Sequence, residues 1–379
     1  MPLAPLPVTV LTCLDPVLRD TAGAVAAWEV PGTVVLRYDL GPGRDDGLRR
    51  VVSDVHGVEE DVRVPLEHAC LDCALREDVL PTLVAVAASG RWRRVVLALP
   101  LAAEPLVVVR ALRFGEVDGR PVAGSCRVAS VVATADAATL EDDLLGDDLL
   151  AERLPSHAGV LDDGRAVGEA LAHQLDEADL VLLAGEGGGD VPAGRARRLL
   201  AHLSTAPVRG VHAVTGAELV ADRWAGRPDA AHDPGRDAPL ELRRARPTGA
   251  LDGDGVWTLE LTSRRAFHPG RLLDGIEEIG SGRLRARGVF HLPARPGVVC
   301  AWDGAGGQLS IGEVGTWDAA GPRTRLVVTG TDPADRERVA ACFPRLLMRA
   351  DEHDRSRPGT PDGFEPWLGS AGADVPHLA

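Results

Sequence analysis

Not one of the 379 residues is lysine and not one is asparagine, so all 41 basic side chains are arginines. That excludes Schiff-base chemistry, the phosphate-binding lysine of a P-loop and amide readout by asparagine. Long apolar runs are missing too. Nothing approaches the about 18 consecutive apolar residues of a membrane span, although 45% of the chain is hydrophobic. The start, "MPLAPLPVTVLTCLDP", has no basic segment and enters a strand-like run at once, unlike a signal peptide, so the expected location is cytoplasmic. Six scattered cysteines fit reduced thiols better than a disulfide framework. A net charge of −15 removes the global basic field that DNA or non-specific nucleic-acid binding would use, leaving only local arginine clusters such as "RARRLL" and "RLRARG".

What is present reads as two domains joined by a linker. Val/Leu-rich runs at 8–12, 33–38, 94–100, 127–135, 178–184 and 208–214 are continuous rather than alternating, the pattern of parallel strands buried on both faces. Helical stretches such as "DVLPTLVAVAAS", "GRAVGEALAHQLDE" and "GRARRLLAHLS" lie between them. The β–α rhythm predicts an α/β domain over 1–215 with a mostly parallel sheet. Residues 216–254 are rich in Pro, Gly, Asp and Arg without period and read as a linker. A smaller α+β domain is expected over 255–350 and a flexible tail over 351–379, in which "GFEPW" is either a docking motif or a cap on the second domain.

Chemistry is concentrated in short stretches. "TCLDPVLRDT" follows the first strand, where an α/β domain normally seats a phosphate, but it has no glycine, and Asp15 and Asp20 bring negative charge there. "GEGGGD" at 185–190 supplies glycines for an anion nest but no cation. "EHACLDCALRED" sets Cys70, Asp72 and Cys73 at a helix mouth with His68 nearby. Three readings stay open for it: a zinc site, a C-x-x-C redox pair, or small residues packed at a turn. His268, before Pro269, reads as a helix cap, and "EDDLLGDDLL" at 141–150 as a solvated helix face.

Taken in order, "PVTVLT", "CLDCALREDVLPTL", "AAEPLVVV", "ADLVLLAG", "FHPGRLLDGI", "GVFHLPARPGVVCAWD" and "RLVVTGTD" resemble the CobW-like GTPases. The resemblance covers about residues 7–214 and 255–350. It implies a P-loop GTPase-type sheet with helices on both faces, a smaller C-terminal α+β domain, and zinc as the metal of the Cys-x-Cys-Cys motif. That motif falls on Cys70, Asp72 and Cys73, with a carboxylate in place of the middle thiolate.

The family's nucleotide determinants are replaced. Its Lys-Thr-Thr falls on Arg19, Asp20 and Thr21, its Walker-type acid on Ala98, and its guanine-reading motif on "AGEG", Ala184 to Gly187. GTP with Mg²⁺ therefore has no visible machinery beyond Arg19 and Thr21 at the former P-loop, and the chain resembles a pseudo-GTPase. The C-x-x-C form and glycine-poor first loop resemble the branch that recruits a hibernation factor to the ribosome under zinc limitation, which would make those two its partners. The resemblance leaves two alternatives: a GTP-dependent zinc metallochaperone with a zinc-dependent client protein, and a C-x-x-C thiol oxidoreductase.

Overall fold

The run "LPVTVLT" carries β-branched side chains on both faces, and it forms a buried strand, β1 (Leu6–Thr12), inside an eight-stranded sheet. The computed structural model describes residues 4–41, 47–154, 163–185, 191–221, 246–353 and 358–371. Along the first unit the strands continue as β2 (Thr33–Leu40), β3 (Leu48–Asp54), β4 (Gly57–Val64), β5 (Arg94–Ala98), a small ribbon β6 (Glu116–Val117) and β7 (Arg120–Pro121), β8 (Cys126–Asp136), β9 (Leu180–Ala184) and β10 (Val208–Gly210). The sheet order is β10-β9-β8-β1-β5-β2-β3-β4. From β10 to β2 every neighbouring pair is parallel, as the continuous apolar runs predict.

β3 and β4 are an addition that the apolar pattern did not announce. They form an antiparallel hairpin on the β2 edge, held across the strands by Arg49–Asp61 and Arg50–Glu60 pairs. β4 is largely exposed and charged, which discourages further strands from adding to that edge.

The second unit is antiparallel, with β11 (Trp257–Ser263), β12 (Leu284–Phe290), β13 (Val298–Ala305), β14 (Gln308–Thr316) and β15 (Thr324–Gly330) in the order β11-β15-β12-β13-β14. Helices Pro269–Gly280 and Pro333–Leu346 cover it, and Phe267, Phe290, Phe343 and Trp302 pack as tilted and edge-on rings between. Gly288 sits where β12 and β15 approach closely: its φ is +151°, and a Cβ there would lie 2.1 Å from the Arg325 carbonyl oxygen. His268 caps the first helix, its Nδ1 accepting from Arg271 N at 3.3 Å. The chain thus combines a mostly parallel α/β sheet with a separate α+β unit, the expected fold class.

Two stretches differ from their sequence reading. Residues 358–371 lie within the expected flexible tail but are packed, so of the two readings of "GFEPW" the cap on the second domain is the one seen: Phe364 is fully buried, and the buried Arg295–Asp362 pair also ties Arg295 to the carbonyls of Leu368 and Gly369. A charge pair this deep holds its segment firmly, since removing one partner typically costs about 3–5 kcal/mol. "EDDLLGDDLL" is not a solvated face either, because Leu140, Leu144, Leu145 and Leu150 are buried and Asp143 pairs with Arg153.

Glu352 closes the second unit in the same manner. Both its oxygens accept from Arg271 at 2.8 Å, and Oε2 also accepts from Arg349 N at 2.8 Å. The Arg271 fork, then the Arg349 amide, lower its pKa from 4.5 to about 2. Because the folded value lies below the unfolded one, this contribution to stability is whole above pH 4.5 and is lost as pH falls toward 2. A carboxyl ¹³C titration of Glu352 should give a midpoint near 2, and Arg271→Ala should move it up toward 4.5.

Candidate metal and ligand sites

β1 delivers the chain directly into helix Pro16–Glu29, and the turn between them is where an α/β domain receives phosphate. Here Asp15 is the N-cap and Pro16 the first helical residue, a local sequence well suited to starting a helix. Asp15 Oδ1 accepts from Val17 N at 2.7 Å and Leu18 N at 3.0 Å. The two amides a phosphate oxygen would use are therefore bonded to a carboxylate of the protein itself. Cys13, just before, is fully buried, and burial pushes its thiol up to about 12.

Arg19, which the resemblance sets at the family's lysine position, is almost wholly buried. Its Nη1 meets Asp39 Oδ1 at 2.7 Å, the Leu99 carbonyl at 3.1 Å and the Tyr38 carbonyl at 3.4 Å, and its Nε meets Asp20 at 3.2 Å. It braces the ends of β2 and β5. Thr21 is exposed on the helix, two residues beyond Arg19. Ala98, at the Walker-type position, is buried in β5 and offers no oxygen ligand from its side chain. Of the anion nest and the guanine position, only Ala184 and Gly185 fall among the described residues.

The C-x-x-C stretch opens a helical segment with an unusual middle: an α-turn Leu71–Ala74, a π-turn Leu75–Val79, then α-helix Leu80–Ser89. π-turns widen a helix locally and are frequent at functional sites. Buried Asp78 fixes this one to β3 through an ion pair with Arg50. Cys70 is the N-cap, its Sγ accepting from Cys73 N at 3.4 Å.

Glu67, His68 and Cys73 each bring one donor atom to within 4.8 Å of the others, and Cys73 Sγ lies 3.7 Å from His68 Nδ1. Cys70 and Asp72 line an adjoining cavity of about 330 Å³ with Leu101, Glu104 and Arg165. Of the three expected ligands, then, Cys73 lies in the donor cluster, while Cys70 and Asp72 border it. His68 was legible as a neighbour; Glu67 was not, since it precedes the motif and joins it only through the turn.

Thiolate, imidazole and carboxylate together are a donor set that suits Zn²⁺. Arg76 stands at its edge, Nη2 at 3.0 Å from Glu67 Oε2 and 3.7 Å from Cys73 Sγ. Burial first, and then the hydrogen bond to Cys70, raise the Cys73 thiol pKa. A redox thiolate requires the opposite shift.

Comparison with known proteins shows the family. Residues 256–347 match the family model described as the cobalamin synthesis protein cobW C-terminal domain. The zinc chaperone Rv0106 of Mycobacterium tuberculosis is 31% identical over 303 residues, spanning 76% of this chain and 69% of the relative. The uncharacterized protein Mb0109 of Mycobacterium bovis matches with the same figures. Among solved structures, a zinc-bound triple mutant of the YjiA GTPase aligns at TM-score 0.39 and 16% identity, covering 91% of this chain and all of the other. Zinc-bound YjiA GTPase from E. coli aligns at TM-score 0.35 and 15% identity with the same coverage. The chain belongs to the CobW-like GTPase family.

Proposed function

We propose that this protein is a zinc-responsive CobW-like protein that works without turning over nucleotide. The observation that carries the reading is the turn after β1, where Asp15 takes the Val17 and Leu18 amides and Arg19 is spent on Asp39 and two carbonyls. Phosphoryl transfer depends on a backbone cradle, a free cation and a metal-binding acid. The cradle and cation are already engaged, and Ala98 stands at the acid's position. Asp15 would also repel an incoming phosphate at the place where the helix terminus would attract it.

Zinc is the substrate or signal in this reading. Glu67, His68 and Cys73, completed by Cys70, would hold it, and Asp72 would contribute charge beside it rather than a bond. Binding requires His68 neutral and the cysteines as thiolates, so protons leave as zinc enters. Arg76 must give up Glu67 and Cys73 at that moment, which couples zinc loading to a movement of the π-turn segment.

For the output we favour recruitment of a hibernation factor to the ribosome, supported by the C-x-x-C motif and the glycine-poor first loop. The rival, delivery of zinc to a client protein, is supported by the name of the Mycobacterium tuberculosis relative.

Calorimetric titration of the full chain with GTP, GDP and ATP, each with Mg²⁺, should give no heat up to millimolar nucleotide; micromolar GTP binding overturns the nucleotide-free reading. Competition against a chromophoric zinc chelator should show one tight site, with Cys73→Ser and His68→Ala each weakening it by about 10–100-fold or more. Unchanged affinity in both variants would remove this donor set from consideration. Ribosomes from zinc-starved cells should co-sediment with the protein and ribosomes from zinc-replete cells should not. Equal recovery from both would favour the client-protein rival.

A further inference from the structure

A second cavity in the first unit, of about 260 Å³, shares no lining residue with the Glu67–His68–Cys73 cluster. It lies at the C-terminal ends of β1 and β8, between Leu14 and Asp15 on one side and Thr134 to Asp136 on the other. β1 and β8 are neighbours whose connections leave in opposite directions, β1 toward β2 on the β5 side and β8 toward β9. Such a switch point is where open α/β sheets seat ligands. Thr134 lines the cavity and is only 3% exposed, yet its hydroxyl has no hydrogen-bond partner. A buried, unmatched hydroxyl in a cavity wall asks for a ligand atom or an ordered water.

The remaining polar groups say what kind of ligand. Asp15, Asp136 and Asp143 face a single cation of the lining, Arg153, which is already paired with Asp143 and Asp148. Asp15 takes both of its helix amides on Oδ1, and Asp136 Oδ1 takes Ala138 N at 2.9 Å, so in each carboxylate these bonds leave the second oxygen free. Leucines with Pro16, Ala135 and Val167 form most of the rest of the wall, and the Thr139 hydroxyl donates to Asp143. The volume is below the about 300–1,000 Å³ typical of drug-sized ligands, which fits a single or fused ring system.

We infer that this crevice binds a small amine carried on a largely apolar ring that bears an N–H, with Asp15 and Asp136 answering the ammonium and the Thr134 hydroxyl accepting from the ring N–H. The fold's ligand position is thereby kept while its charge preference is reversed from phosphate to cation. The inference shares with the proposed function the reading that Asp15 closes the crevice to phosphate.

Three probes with one body separate the charge effect from apolar packing: tryptamine, the neutral tryptophol and the anionic indole-3-acetate. Calorimetry on the full chain should show tryptamine binding about tenfold or more tighter than tryptophol, as one charge-assisted contact predicts, and indole-3-acetate giving no heat. Asp136→Asn keeps an acceptor for the Ala138 amide and should erase most of that preference. Thr134→Val replaces an unmatched hydroxyl with a methyl of the same shape, so the fold is retained while affinity for tryptamine and tryptophol falls. No tryptamine heat at millimolar concentration, an indole-3-acetate affinity equal to that of tryptamine, or tryptamine binding unchanged in both variants would overturn the assignment. GTP·Mg²⁺ heat in the same calorimeter would instead sink the nucleotide-free reading, whatever the amines do.

Discussion

The carboxylate of Asp15 decides what the first sheet can do. A parallel α/β sheet points helix N-termini at one edge, and the amides there are the standing invitation to anions. In this chain the helix after β1 is capped from within, by one oxygen accepting two N–H groups. The cap is also good helix chemistry, since Asp followed by Pro is among the better ways to begin a helix. One residue thus serves folding and withdraws the anion site in the same bond. Replacing glycine-rich backbone with "LDPVL" leaves the two large cores of the sheet unchanged, because no residue of 14–18 belongs to them; Leu14 packs instead on a small cluster with Ala102, Leu150, Val167 and Ala170.

Arg19 carries that logic inward. A lysine at a phosphate site is a mobile point charge that must stay accessible, whereas a guanidinium is a rigid fork that can satisfy several acceptors at once. With Arg19 buried and shared among Asp39, Asp20 and the carbonyls of Tyr38 and Leu99, the cation becomes a brace between β2 and β5. Most of its bonds go to groups at strand ends that would otherwise need water. The lysine-free composition and the closed turn are therefore consistent with each other, since the position has been rebuilt around an arginine's geometry.

Much of this architecture was legible in the sequence. The parallel core announced itself through runs such as "RVVLALP" and "ADLVLLA", because burial on both faces leaves no room for polar alternation. β3, β4 and β14 were hidden by the same rule: half-exposed strands such as "GVEEDVRV" and "QLSIGEVGT" carry charge and glycine, and their pairing is set by neighbours far along the chain. At the candidate site Cys73 and His68 were readable from spacing. Glu67 was not, because it reaches the cluster through the turn before Cys70 and a contact from Arg76. "GFEPW" could be read locally as a cap on the second domain, but not its anchor, because that is Arg295, more than sixty positions away.

The two candidate sites of the first unit divide its chemistry by charge. The metal cluster pairs soft and borderline donors with a single arginine at its rim and sits on a π-turn, a helix segment less regular than its surroundings. The crevice by β1 and β8 is set on rigid strand ends and surrounds itself with carboxylates. Both are proposed to take cations, where a helix N-terminus at the end of a parallel strand ordinarily favours an anion. If nucleotide is not turned over, as proposed, hydrolysis is not what times conformational changes in this sheet. Switching would then come from occupancy of the proposed cation sites, and the Arg76 contacts to Glu67 and Cys73 are the ones closest to such an event.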